Sequence, residues 1–91
     1  MTAKEAYMIL VKKVVGARVA VCYEYDSLFV FQLAPAGLRL FANPSPMLDA
    51  LMSVDKATGK VRDFKPFMIP IDEYRRGKEV PPSVYKKGVV L

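Results

Sequence analysis

The chain has 91 residues, a net charge of +5 and a hydrophobic content of 53%. That is one domain's worth of chain, too apolar for disorder and too short for a second core. It has no histidine and one cysteine, which removes ordinary zinc sites, Ser-His-Asp catalysis and Cys-His catalysis from consideration.

The remaining exclusions follow from spacing. No apolar stretch is long enough to span a membrane, because Lys12-Lys13, Arg18, Glu24-Asp26 and Arg39 interrupt them. No secretory signal is expected, since the opening has no small-residue cleavage site before Lys12-Lys13. A single cysteine cannot form an internal disulfide, so Cys22 reads as a small buried hydrophobe in a cytoplasmic protein. The glycines are isolated, so no phosphate loop is present, and no cofactor or metal is expected.

The chain opens on Thr2-Ala3-Lys4-Glu5, a capping box, and Ala3, Ala6, Tyr7, Leu10, Val11 and Val14 then recur at helical spacing. These predict a helix over about residues 3–15, ended at Gly16, with Lys12 and Lys13 beside the negative end of its dipole. Residues 17–34 predict a hairpin. If Asp26-Ser27 is its loop, Glu24 faces Phe29 and Cys22 faces Phe31. One face then carries Ala20, Cys22, Phe29, Phe31 and Leu33, with Glu24 near the turn, and the other carries Val21, Tyr23, Tyr25, Leu28, Val30 and Gln32.

Pro35, Gly37, Pro44 and Pro46 make 35–46 an irregular segment, folded back on the body or carrying a short strand. A second hairpin is expected from Leu48–Val54 and Val61–Phe64, around the turn Asp55-Lys56-Ala57-Thr58-Gly59. Pro66 and Pro70 bracket an extended edge segment, and Pro70–Arg76 reads as one or two helical turns ended at Gly77. Residues 1–79 form one domain in this reading, and 80–91 an extended or partly disordered basic tail.

The order helix, aromatic hairpin, then Val54-Asp55-Lys56-Ala57-Thr58-Gly59-Lys60-Val61 resembles the PepSY-type domain. It also resembles small uncharacterised prophage proteins and some immunity proteins. The resemblance implies a noncatalytic helix-on-sheet protein that binds or inhibits another protein.

The expected fold is α+β, with the N-terminal helix across an antiparallel sheet of about four strands. Its expected core is Tyr7, Leu10, Val11, Val14, Cys22, Phe29, Phe31, Leu33, Met52 and Val54. The carboxylates form no catalytic pair, so the chain reads as no enzyme but as an interaction or assembly module, prophage-related or an inhibitor. The apolar face of Val21, Tyr23, Tyr25, Leu28 and Val30 is either covered by the C-terminal half or offered to a partner, and through it the chain would self-associate or bind a protein. The alternative is nucleic-acid binding through the basic C-terminal residues Arg75, Arg76, Lys78, Lys86 and Lys87. Over residues 75–91 these meet Glu79 alone, a net of +4.

Overall fold

The computed structural model describes residues 1–14, 18–33 and 50–86. Helix α1 (Ala3–Lys13) starts as its capping box requires: Thr2 N–H donates to Glu5 Oε1 at 2.8 Å, and Thr2 Oγ1 accepts from Glu5 N–H at 3.1 Å. Gly16, the expected stop, lies outside the described residues, as do the irregular segment 35–46 and the first residues of the strand expected from Leu48.

Strands β1 (Val19–Glu24), β2 (Leu28–Leu33), β3 (Ala50–Asp55), β4 (Val61–Asp63) and β5 (Lys78–Val80) form an antiparallel sheet in the order β4-β3-β2-β1-β5. The fold is therefore α+β, as expected, with a fifth strand contributed by the C-terminal segment. In the first hairpin Glu24 pairs with Phe29 and Cys22 with Phe31, the register that a two-residue loop at Asp26-Ser27 imposes. A bulge between Val19 and Val21 then shifts the register, so that Val19 pairs with Leu33. Val19 is buried where Ala20 was expected, and Ala20 is exposed: the extra residue of a bulge changes the face of what precedes it.

The second hairpin turns as its residues dictate. Asp55 Oδ1 accepts from the N–H groups of Ala57 at 2.8 Å and Thr58 at 3.0 Å, and Gly59 takes a φ of 75°. The two backbone bonds hold the Asp55 carboxyl below the usual carboxylate range, with the Thr58 bond the larger cause.

The core has two layers, one on each side of the sheet. On the first, Ala3, Ala6, Tyr7 and Leu10 of α1 cover Val19, Cys22, Phe29, Phe31, Leu33 and Val54. Val11, Val14 and Met52 pack against this cluster partly buried, so the expected core is all within it. Tyr85, on helix α3 (Pro82–Tyr85), completes the layer. Its ring centroid stands 5.2 Å from that of Tyr7 and 6.0 Å from that of Phe31, edge-on to the latter.

Three expectations are corrected here. Residues 66–70 are not an extended edge: Pro66–Met68 form a turn of 3-10 helix. The chain from residue 80 to 86 is not an extended tail, because Val80 closes β5 and Tyr85 is fully buried between α1 and the sheet. Pro82 starts α3 at a position where a missing N–H costs nothing. The apolar hairpin face is not open either. Tyr25, Leu28 and Val30 are buried in the second layer, under Phe64 and Ile69, with Tyr23, Leu51 and Met68 partly buried beside them. The proline-punctuated chain after β4 folds back and covers this face, leaving Val21 and Tyr23 half-buried. Lys87 and the residues after it lie outside the described residues.

Candidate functional site

With the hairpin face covered, the chemistry-bearing groups gather where the two hairpin turns meet helix α2 (Ile71–Arg75). Glu73 of α2 is only 9% exposed. Its Oε2 accepts from the Ser27 N–H at 2.8 Å and from the Ser27 hydroxyl at 2.5 Å, so the helix is tied to the β1–β2 turn by its acid. Tyr25 stacks with Phe64, at 6.2 Å, and with Tyr74, at 5.7 Å. Gly77 lies against the Tyr25 ring so closely that a Cβ there would overlap it.

Beside this knot is a cleft of about 180 Å³ lined by Glu24, Tyr25, Asp26, Lys56, Arg76 and Lys78. Its charges are largely satisfied among themselves. Lys56 Nζ stands 2.8 Å from Glu24 and 4.9 Å over the Phe29 ring, and the Arg76 guanidinium 2.6 Å from Asp26. The Asp26 hydrogen bond, reinforced by its charge, raises the pKa of Arg76. Exposed pairs of this kind contribute little stability, and here they orient the turns. Among the described residues no cluster of three or more His, Cys, Asp or Glu side chains could hold a metal, and no helix is long and apolar enough to cross a membrane. The Cys22 thiol, buried and near Glu24, has its pKa pushed up to about 12, mainly by burial, which keeps it a neutral thiol rather than a nucleophile.

The basic residues singled out by the sequence are not brought together. Arg76 and Lys78 line the cleft at the Glu24 end of β1. Lys86 is at the other end, donating to the Val19 carbonyl at 3.1 Å, with its ammonium 5.8 Å from the centre of the Tyr85 ring. The six residues of β1 separate the two ends by about 17 Å. Arg75 is exposed on α2, and Lys87 lies outside the described residues.

Exposed large apolar side chains lie elsewhere, singly at Met1, Met8 and Val84 and as a group around α2, and sequence reasoning missed that group. Phe67 is 81% exposed, Ile71 60% and Tyr74 41%. Phe67 and Ile71 are four residues apart on consecutive elements, so they are no more than about 14 Å from one another. A signal was present: each follows a proline that fixes the start of a short helix, and on α2 Ile71 lies about 160° around the axis from Glu73. With Glu73 turned inward, Ile71 must point out.

No family model, curated protein or solved structure matches this chain.

Proposed function

We propose that the protein is a noncatalytic protein-interaction module whose contact surface is the ridge formed by Phe67, Ile71 and Tyr74. The observation that carries this reading is the inverted polarity of α2. An ordinary surface helix buries its isoleucine and exposes its glutamate. Here Glu73 is buried and hydrogen-bonded, while Ile71, together with the preceding Phe67, stands in solvent. Each of these two side chains forgoes about 1.5–3 kcal/mol of burial, a cost that a contact on this ridge recovers. The lone buried thiol of Cys22 suits a reducing compartment, which supports a cytoplasmic location. The likeness to immunity-type and prophage proteins supports the same class of function, though it assigns no residue.

The test is the double variant Phe67→Ser/Ile71→Ser, immobilised beside the wild type and exposed to native extract. The variant is expected to melt within a few degrees of the wild type, because neither residue belongs to the two core layers. It is also expected to lose the proteins, or further copies of itself, that the wild type retains. Equal retention by both forms sinks the reading, as does a variant that unfolds.

A further inference from the structure

The cleft beside α2 is walled by three separate pieces of chain. Glu24, Tyr25 and Asp26 come from the end of β1 and its turn, Lys56 from the β3–β4 turn, and Arg76 and Lys78 from the end of α2 and the start of β5. These pieces are tied to one another. The Lys56 N–H donates to the Ser27 carbonyl at 3.0 Å, Glu73 accepts from the Ser27 N–H and hydroxyl, and Lys78 pairs with Glu24 across the β1–β5 ladder. The walls therefore stand in place before anything enters, and no loop has to be ordered to use them.

The charges in the cleft do not balance. Three cations meet two carboxylates, and the pairs Lys56–Glu24 and Arg76–Asp26 leave Lys78 over, with no ion pair among the described residues. Each pair is a single contact, through Lys56 Nζ and Arg76 Nη2. An ammonium carries three donors and a guanidinium five, so unused donors remain on all three cations. A planar carboxylate offers two oxygens to such a set, whereas a tetrahedral phosphate offers enough for one to each cation. The two acids select further. They repel a bare oxyanion, which can only accept, but they accept from a phosphate that keeps a proton or carries a polyol, since either has a hydroxyl to donate. The volume of about 180 Å³ is below the ~300–1,000 Å³ of pockets for drug-sized ligands, so the occupant is small.

We infer that the cleft binds a small hydroxyl-bearing phosphate compound, of which inorganic phosphate is the simplest. Lys56, Arg76 and Lys78 hold its oxygens, and Glu24 or Asp26 accepts from its hydroxyl. This does not rest on the ridge, since none of Phe67, Ile71 and Tyr74 lines the cleft. The bases are exposed or partly so and already hold carboxylates, so binding is weak.

Backbone amide chemical shifts test this while inorganic phosphate is raised to about 50 mM at constant pH and ionic strength, enough to read a millimolar affinity. Glycerol phosphate and sulfate are titrated in parallel. Phosphate is expected to move the amides of Glu24, Tyr25, Asp26, Lys56, Arg76 and Lys78 saturably. Sulfate, tetrahedral but without a hydroxyl, is expected to bind about tenfold more weakly. Glycerol phosphate binding more tightly than phosphate identifies the ligand as a polyol ester, and the reverse order as the free ion; both support the site. Lys78→Gln is expected to melt within a few degrees of the wild type, because Lys78 is exposed, and to raise the phosphate dissociation constant about tenfold. Phe67→Ser/Ile71→Ser is expected to bind phosphate as the wild type does, which separates this site from the ridge. Shifts that never saturate, or a folded Lys78→Gln chain that binds as the wild type does, overturn the inference. Sulfate that binds as well as phosphate also overturns it, and reduces the cleft to a place for an adventitious ion only.

Discussion

Tyr85 shows how much a single side chain can hide in a sequence. Its neighbours Pro81, Pro82, Lys86 and Lys87 have the composition of a solvated tail, so nothing local marks the ring as core. Only the partners Tyr7 and Phe31, far away in the chain, make it so. Among the described residues its buried hydroxyl has no hydrogen-bond partner. Removing a buried, unpaired hydroxyl relieves a desolvation cost, so Tyr85→Phe is expected to stabilise the fold by about 1 kcal/mol in urea unfolding. The same burial acts on titration. The pKa of Tyr85 is raised from 10.0 to about 12, mainly by burial, and that of Cys22 from 9.0 to about 12. Folded-state pKa values above the unfolded ones mean that the unfolded chain releases protons first as pH rises. The contribution of these two groups to stability is therefore full below pH 9 and falls between pH 9 and pH 12. Tyr85→Phe removes one of the two groups, so a flatter alkaline decline in its melting temperature is expected. A Tyr85→Phe chain that is less stable than the wild type would mean that the hydroxyl has a partner after all.

At the scale of elements, legibility follows how local the determining contacts are. Helix α1 is written in its own capping box and stripe, and both hairpin turns in their own loop residues. The bulge at Ala20 has no glycine or proline to announce it, because what decides it is the choice of Val19 over Ala20 for the α1 side of the sheet. Helix α2 was readable as a helix, from its prolines and end charges, but not in its orientation. That depends on Ser27, 46 residues away, whose N–H and hydroxyl draw Glu73 inward. Gly77 then permits the return into β5, because its bare Cα lets the Tyr25 ring lie against it. Gly77→Ala forces the ring away from its stack with Phe64 and Tyr74. It is expected to cost about 1–3 kcal/mol, read as a lower urea midpoint. An unchanged midpoint would show that the ring has room to move.

In the whole molecule, the surplus of apolar residues that the composition shows is explained by a sheet covered on both sides. Its central strand β2 is buried on both faces, which is why Leu28, Phe29, Val30 and Phe31 read as a continuous apolar run rather than an alternating one. The expected partner face was thus legible as apolar, but the sequence left open whether the C-terminal half or a partner covers it; the cover is Phe64, Met68 and Ile69, from segments that read as a strand end and an extended edge. Folding this segment inward is also what carries Phe67 and Ile71 outward. The most direct measurement is thermal unfolding with light scattering on two single variants, Val30→Asp and Phe67→Asp, beside the wild type. Val30→Asp buries a charge between two packed layers and is expected to abolish cooperative unfolding, while Phe67→Asp keeps the wild-type midpoint and loses association. A folded Val30→Asp chain that no longer associates, beside a Phe67→Asp chain that still does, would return the contact surface to the hairpin face and contradict the assignment of the ridge.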